Sequence, residues 1–427
     1  FRIKRKTRKR IGKSRDVLYR GMTMKAQDNG DYTSERPYRN DSLEVVSWNG
    51  QKLDEEQVWR LPPSKSHLIR WLLLASRSEG STQLKFDSKA GKDAYSMLYC
   101  LKSLGVNIEE NADGWTVYGE SYIIPDEVLN CGNSATTLRL LAPLVASLGE
   151  TVTLDSDENL NSRDHSSMLE MLKNAGVSVE EYNESRVLPL KLKGPISESI
   201  IEINTSLSSQ VLSGLILSSC TINQEIQVIT TGKAVSQDYL NLSIELAMQC
   251  GMPTFDGKLR PWKPIAPKVV KIPVEASLQA MTILMSICHQ IEVKTPGLEI
   301  GQGLGNINLD AQISRRIDIS QSIDVISPLA AIMCMGDGGE IIGAAHARHK
   351  ESDRIKHTVE MLSSFGLECE ATDEGLRMKG GQQPHRPQNI VNCHGDHRLF
   401  MCAAILASRF GGELDSCKSY RVSYPGF

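Results

Sequence analysis

A recurring unit constrains the fold of this 427-residue chain more than any other feature of its sequence. In each copy, a helix-type pattern ends at a glycine and is followed by two β-type segments that flank an acidic turn. The clearest copies are 97–119 (MLYCLKSLGVNIEENADGWTVYG), 168–194 (MLEMLKNAGVSVEEYNESRVLPLKLKG) and 361–380 (MLSSFGLECEATDEGLRMKG), and 242–255 is a degenerate copy. Apolar residues at i, i+3 and i+4 predict helices that bury one face.

Each copy carries its own punctuation. Gly105, Gly176 and Gly366 stand where a helix C-terminus favours positive φ, and the segments after them are typical of hairpins. A spacing of roughly 70 residues is too long for a solenoid. Helix–glycine–strand junctions occur in any α/β protein, but three copies with matching hairpins favour duplication of one folding unit. We therefore predict an α/β chain with several such units per domain.

The charge distribution limits the partners of this chain. Residues 1–20 hold ten Lys or Arg and one Asp, so the remaining chain has 38 basic and 50 acidic residues, a net charge of −12. An acidic body argues against a broad nucleic-acid surface, because a phosphate backbone needs clustered cations. An anionic ligand would have to be held by Lys and Arg gathered in a cleft.

Other features of the sequence argue against membrane, metal and secreted disulfide classes. The longest apolar stretch, Ile326–Met335, is about half a membrane span. The ten cysteines are scattered singly, without a C-x-x-C pair, which favours reduced thiols in a cytoplasmic protein. His394 and His397 lie three residues apart without a second ligand pair, so we expect no metal. Residues 1–42 are predicted to be a disordered basic and polar extension.

Five polar segments that each open an apolar helix carry the chemistry. Lys65, Ser66 and Arg70 begin the first of these helices, where free N–H groups and the helix dipole favour an anion. The segments 131–139 and 206–212 add hydroxyl and amide donors suited to phosphate oxygens. The segments 350–354 and 395–399 combine cations with carboxylates that could act as acid or base. Each segment alone is also compatible with ordinary capping and solvated charge.

Taken together, these segments resemble the EPSP synthase (3-phosphoshikimate 1-carboxyvinyltransferase) family. The matching stretches are PSKSHLIR, GNSATTLR, SSQVLSGL, VSQDYL, SIDVISPLAA, KESDRI and GDHRLFMCAA, in the family's order from residue 61 to about residue 424. The resemblance implies two similar domains built from repeated βαβαββ units, the inside-out α/β barrel of enolpyruvyl transferases. It places the first, discontinuous domain at 43–61 and 275–427 and the second at 62–274.

The reaction that the resemblance implies is transfer of the carboxyvinyl group of phosphoenolpyruvate (PEP) to the 5-hydroxyl of shikimate 3-phosphate, with release of phosphate. The PEP methylene is protonated, the hydroxyl attacks C2, and the tetrahedral intermediate then loses phosphate and a methyl proton. Proton transfer and charge stabilisation suffice for this chemistry, so no cofactor is expected. A monomer with only these two small-molecule substrates, and without nucleic-acid or membrane partners, is the expectation.

The resemblance also assigns roles to individual residues. It implies that Asp324 accepts the 5-hydroxyl proton, that Glu351 is the second proton-transfer carboxylate, and that Lys65 lies between the substrates and contacts both. The residues implied to bind shikimate 3-phosphate are Lys65, Ser66, Arg70, Ser208, Ser209, Ser236, Tyr239, Asp324 and Lys350. The residues implied to bind PEP are Lys65, Ala135, Arg163, Gln210, Arg354 and Arg398.

Several positions depart from the family pattern. Ala135 replaces a common glycine, and Asn159 stands where many members have an arginine that Arg163 could replace. His346 stands for a frequent Asn and Val422 for a usual lysine, while one unit between 275 and 324 is shortened to a glycine-rich stretch. Two alternatives remain open from the sequence: a UDP-N-acetylglucosamine enolpyruvyl transferase, and a noncatalytic nucleic-acid or partner-binding protein that uses the basic arm.

Overall fold

The computed structural model describes residues 3–6, 42–47, 56–183, 186–298, 304–305 and 316–427. Within them the helices are α1 Lys65–Ser76, α2 Lys92–Ser103, α3 Ala135–Ala146, α4 Glu158–Asn161, α5 Ser166–Asn174, α6 Gln210–Ser218, α7 Gln237–Gln249, α8 Gln279–His289, α9 Ile326–Met335, α10 Arg354–Ser364 and α11 His397–Phe410. Short 3₁₀ turns lie at Ser219–Thr221, Ala276–Leu278, Ile323–Val325, Ala345–His349 and Ser419–Val422.

The strands are short. They are β1 Ile3–Lys6, β2 Ser42–Val45, β3 Glu56–Val58, β4 Gly80–Lys85, β5 Asn107–Asn111, β6 Gly114–Gly119, β7 Leu129–Asn130, β8 Thr151–Asp155, β9 Ser178–Glu180, β10 Leu190–Lys193, β11 Ile200–Asn204, β12 Ile226–Thr231, β13 Lys258–Leu259, β14 Val269–Lys271, β15 Glu292–Lys294, β16 Arg316–Asp318, β17 Gly338–Ile342, β18 Cys369–Ala371, β19 Leu376–Lys379 and β20 Gly412–Leu414. Of the predicted extension 1–42, β1 and Ser42 are described, and the remainder lies outside the described residues.

Three four-stranded sheets share one topology, which confirms the predicted repeat of βαβαββ units. Their strand orders are β14-β4-β6-β5, β7-β8-β10-β9 and β16-β17-β19-β18. In each sheet the first pair is parallel and the other two pairs are antiparallel, the last pair being the predicted hairpin. In the first sheet, the strand that pairs in parallel with β4 is β14, which lies much later in the chain.

The glycines predicted at helix C-termini are found there. Gly105, Gly176 and Gly366 follow α2, α5 and α10 with φ values of 90°, 79° and 77°. The degenerate copy differs from the others, because α7 is followed by β13 alone, which pairs with β12 in the three-stranded sheet β11-β12-β13. The predicted glycine-rich remnant between 297 and 317 falls largely outside the described residues.

The apolar side chains form two cores. One core takes its buried residues from 68–272, and the other takes Val45, Leu61 and residues from 278–424. The chain passes between them on two adjacent segments that hydrogen-bond to each other: Ser64 N donates to Pro273 O at 2.8 Å, and Glu275 N donates to Pro62 O at 2.9 Å. These crossings fall at the predicted borders, although the division into two domains itself stays a prediction.

No described helix combines the length and the apolar composition that a membrane crossing requires.

Candidate active site

A polar cavity lies where helix beginnings from both cores meet. Its empty volume, which includes open solvent at the mouth, is about 830 Å³. Within the described residues, first-turn or cap side chains of α1, α2, α3, α6, α7, α10 and α11 line it. The lining residues are Lys65, Ser66, Asp93, Ala135, Thr136, Arg139, Arg163, Leu207, Ser208, Ser209, Gln210, Ser236, Tyr239, Ile323, Asp324, His349, Lys350, Glu351, Arg354 and His397.

The structure brings the predicted site residues together. All of them line the cavity except Arg70 and Arg398, which are buried to 1% exposure. Arg398 reaches the wall through its ion pair with Asp324, and Arg70 through hydrogen bonds to the backbone oxygens of Ser66 and Tyr239. The substituted positions His346 and Val422 are buried outside the cavity lining.

Arg354 is the centre of a buried ionic network. It is 1% exposed, and its guanidinium contacts three carboxylates: Asp396 at 2.8 Å, Glu351 at 2.6 Å and Asp324 at 2.5 Å. Arg398 shares Asp324 at 3.3 Å and donates to the Ser277 hydroxyl at 2.7 Å. A guanidinium can serve three carboxylates because its N–H groups form a planar fork with several donor directions.

The network keeps the two predicted proton-transfer groups ionised. Burial alone would raise the pKa of Asp324, but Arg398, followed by Arg354, outweighs it and holds that pKa well below its ordinary value. Burial likewise opposes ionisation of Glu351, whose pKa is nevertheless held well below normal by Arg354 and then Arg163. Both carboxylates are therefore proton acceptors rather than acids in this arrangement.

Two lysines lie near these carboxylates, and burial and the carboxylates shift their pKa values in opposite directions. Lys65 donates to Asp93 at 2.9 Å. Burial would lower the pKa of Lys65, and the nearby carboxylates, Asp93 foremost, raise it above its ordinary value. Burial dominates at Lys350 and lowers its pKa to about 8, although Asp324 and Glu351 partly oppose the change.

The wall formed by α1, α6 and α7 contains hydrogen-bond donors, and Arg70 lies behind it as a cation that contacts only neutral groups of the described chain. Arg70 donates to Ser243 Oγ at 2.7 Å, to Ser66 O at 2.9 Å and to Tyr239 O at 3.1 Å. Within the described part of the chain, no carboxylate lies at ion-pair distance from Arg70. Burial lowers its pKa to about 10, so it stays charged at neutral pH. A buried cation that is held by neutral groups favours an anion nearby.

The departures at 159 and 163 form one structural unit. Asn159 Oδ1 accepts a hydrogen bond from Arg163 Nη2 at 2.9 Å, and Arg163 Nη1 lies 3.6 Å from Glu351. Asn159 therefore positions Arg163, the residue that was expected to replace the arginine that many family members have at position 159. Ala135 is the first residue of α3 and lines the cavity as expected.

Sequence reasoning missed several lining residues: Asp93, Thr136, Arg139, Leu207, Ile323, His349 and His397. Arg139 and His397 lie inside motifs that had been recognised, so their positions at the helix starts could have indicated them. His397 is 1% exposed, and both of its ring nitrogens are buried without a hydrogen-bond partner among the described residues. Burial lowers its pKa to about 3, so the imidazole is neutral. Asp93 lies in none of the recognised motifs, and only its contact with Lys65 reveals it.

Comparison with known proteins agrees with this site. The structure matches an EPSP synthase from Acinetobacter baumannii with a TM-score of 0.71 at 20% identity, covering 90% of this chain and 96% of that one. It matches the enolpyruvyl transferase NikO from Streptomyces tendae with a TM-score of 0.61 at 14% identity, covering 90% and 94%. At these identities the matches establish the fold alone. The chain therefore has the enolpyruvyl transferase-like fold.

Sequence comparison identifies the family to which the chain belongs. A sequence model of EPSP synthase (3-phosphoshikimate 1-carboxyvinyltransferase) matches residues 50–257 and 266–427. The 3-phosphoshikimate 1-carboxyvinyltransferase of Caldicellulosiruptor saccharolyticus is 31% identical over 86% of this chain and 94% of its own length. That of Methanocorpusculum labreanum is 29% identical over 86% and 93%. The chain belongs to the EPSP synthase family.

The Arg354 network makes a stability prediction. Asp396→Asn should lower the free energy of unfolding by about 3 kcal/mol or more, because Arg354 would stay buried with one ionic partner neutralised. Asp396 is fully buried and also caps α11, with Oδ1 accepting from Arg398 N at 2.8 Å. Asparagine caps a helix as well as aspartate does, so the loss reports the ion pair. Urea denaturation measures it.

Asp353→Asn is the matched control. Asp353 caps α10, but its carboxylate is 30% exposed and pairs with the similarly exposed Arg348. Its replacement should cost about 1 kcal/mol or less. Equal losses in the two variants would contradict the central role given to the Arg354–Asp396 pair.

Proposed function

We propose that this chain catalyses the reaction for which its family is named: transfer of the carboxyvinyl group of PEP to the 5-hydroxyl of shikimate 3-phosphate, with release of phosphate. The observation that carries the proposal is the cavity, in which cations and helix starts surround the two carboxylates Asp324 and Glu351. Neither alternative, the UDP-N-acetylglucosamine enzyme or a noncatalytic binder, is favoured by the comparisons.

Shikimate 3-phosphate would occupy the side of the cavity formed by α1, α6 and α7. Ser208, Ser209 and Ser236 precede α6 and α7, so their hydroxyls and the free N–H groups of those helices would bind the 3-phosphate, with Lys350 nearby. Ser66 and Arg70 would hold the carboxylate, and Tyr239 would line the ring. The buried charge of Arg70 supports this assignment, because a bound carboxylate would compensate it.

PEP would bind on the opposite side, against α3, α10 and α11. Arg354 and Arg398 would grip its carboxylate, and Gln210, Ala135 and Arg163 would line the remaining wall. Gln210 is oriented for this contact by Arg139, which donates to its Oε1 at 3.1 Å, and by Thr136, whose hydroxyl accepts from its Nε2 at 2.9 Å. Lys65 would bridge the two substrates.

The carboxylate of PEP would change the state of the catalytic groups. Arg354 cannot grip it while Asp324 and Glu351 both occupy the guanidinium, so substrate binding would displace them. A displaced carboxylate loses the attraction that depresses its pKa, and it becomes a better proton acceptor. Asp324 would then take the 5-hydroxyl proton as oxygen attacks C2 of PEP. The Lys65 ammonium would donate the proton that enters the PEP methylene carbon, and Glu351 would accept the proton that leaves the resulting methyl group as phosphate departs.

We also propose the wider assignments made from the sequence. The chain would act as a cytoplasmic monomer with domains at 43–61 plus 275–427 and at 62–274, and without a nucleic-acid partner. The two cores support the domain borders. All ten cysteines are free thiols, which supports the proposed cytoplasmic location. The net negative charge of the chain beyond residue 20 supports the proposal that it has no nucleic-acid partner.

A phosphate-release assay tests the function directly. Purified protein should release phosphate from PEP when shikimate 3-phosphate is present, because the 5-hydroxyl of shikimate 3-phosphate is the acceptor. It should release no phosphate from PEP alone. Release with UDP-N-acetylglucosamine as the only acceptor would favour the alternative transferase. Absence of release with either acceptor would contradict the proposal.

Replacement of the proposed base should separate catalysis from binding. Asp324→Asn keeps the shape of the side chain but cannot accept the hydroxyl proton, so we expect kcat to fall by at least about 10²-fold. Calorimetric titration should show that shikimate 3-phosphate still binds. Asp337→Asn, which removes an exposed carboxylate in the turn before β17, is the control and should retain full turnover. Normal turnover of Asp324→Asn would refute the assignment.

Lys350 predicts a pH dependence of substrate binding. Its pKa of about 8 means that the ammonium is charged below pH 8 and is lost as the pH rises through that value. The KM for shikimate 3-phosphate should therefore increase by about tenfold above pH 8, the effect of losing one charge-assisted contact. Steady-state kinetics from pH 6.5 to about 9.5 measure this change.

Two arginine variants give the comparison. Lys350→Arg should flatten the KM profile, because a guanidinium stays protonated throughout this range. Lys356→Arg, an exposed position on α10, should keep the wild-type profile. A wild-type KM that is the same at both ends of the range would exclude Lys350 from phosphate binding.

A further inference from the structure

A second cluster of ligating side chains lies outside the cavity, between α10 and the loop before α11. His357 and Glu360 are three residues apart on α10, so they share one face of the helix. His394 precedes α11 and meets them from the other side. One ligating atom from each of these residues lies within 4.8 Å of the others.

The contacts within the cluster leave one ligating atom unused. His394 Nε2 lies 3.0 Å from Glu360 Oε2, and the His357 ring stacks on the His394 ring at 3.5 Å between centroids. His357 Nδ1 is buried and makes no hydrogen bond among the described residues.

The backbone at His394 is held in an uncommon conformation. Its φ is +53°, a region that non-glycine residues rarely occupy outside turns and functional sites. Asn392 Oδ1 accepts from His394 N at 2.9 Å, and Ser416 Oγ accepts from Gly395 N at 3.0 Å. These bonds fix the loop so that the imidazole projects toward α10.

We propose that His357, Glu360 and His394 form a binding site for a divalent transition-metal ion of the zinc class. Two imidazoles and one carboxylate suit zinc, cobalt, nickel or copper better than magnesium or calcium, which prefer oxygen ligands. Water would complete the coordination. The rings are now nearly parallel, at 7°, so one ring must rotate to direct its nitrogen at the ion. The Glu360 side chain is 46% exposed, so its carboxylate can reorient toward the ion.

The site would join two segments that also meet at the proposed active site. Asp396, two residues after His394, holds Arg354 at the first residue of α10. An ion bound one turn further along α10 would connect the same helix and loop at a second point. Lys356 Nζ, 3.8 Å from Glu360 Oε1, is the competing charge that the ion would have to displace. The proposal does not depend on the catalytic assignment.

Metal titration of the full chain tests the proposal. Chelator-treated protein should bind one zinc ion per chain in calorimetry, and cobalt should give a visible spectrum without thiolate bands. His394→Asn removes the imidazole but tolerates the positive φ, and Glu360→Gln removes the charge. Each should weaken zinc binding at least about tenfold. His385→Asn, at an exposed histidine outside the cluster, should bind zinc within twofold of wild type.

Several outcomes would overturn the proposal. They are no saturable zinc binding, thiolate bands in the cobalt spectrum, or an equal loss in His385→Asn. If His394→Asn does not fold, Glu360→Gln decides the result, because Glu360 is a surface residue. Unchanged zinc affinity in Glu360→Gln would likewise exclude the site.

Discussion

The ion pair between Arg354 and Asp396 is the interaction on which the rest of the site depends. It is buried and connects the starts of α10 and α11, the helices that also carry Glu351 and Arg398 at or near their beginnings. A guanidinium with no water around it is costly unless carboxylates surround it, so its position is determined by Asp396 behind and by Asp324 and Glu351 in front. The proposed catalytic carboxylates are therefore oriented by the cation that is proposed to bind substrate.

The repeated unit explains how one cavity acquires so many helix beginnings. In two of the three four-stranded sheets, the helices α3 and α9 follow the first strand of a parallel pair, β7–β8 or β16–β17, and α5 and α10 follow the second strand. Among the described helices, those that begin at the cavity are α1, α2, α3, α6, α7, α10 and α11. An acidic chain thereby obtains a local positive potential from backbone N–H groups, to which a few lysines and arginines add. The proposed anion binding would therefore need no basic surface elsewhere.

Local signals were sufficient for the elements and for much of the site. The helices at 65, 135, 210, 354 and 397 each follow a polar segment that was recognised as a helix start. The glycines after α2, α5 and α10 were recognised because a positive φ is a local requirement. Asp93 was not found, because a lone carboxylate at the start of a helix has no distinctive pattern. The cluster at His357 was missed for a different reason: Glu360 and His394 are 34 residues apart.

The sequence by itself determined the repeated units, the helix starts and the polar residues that each start presents, because these depend on periodicity, capping and backbone conformation over a few residues. Only the tertiary structure decided which of those residues meet. The pairing of Lys65 with Asp93, of Arg354 with Asp396 and of His394 with Glu360 depends on how helices from different units pack. Burial, and with it the charge state of Asp324 and Lys350, also belongs to the packed chain, since desolvation has no counterpart in the sequence pattern.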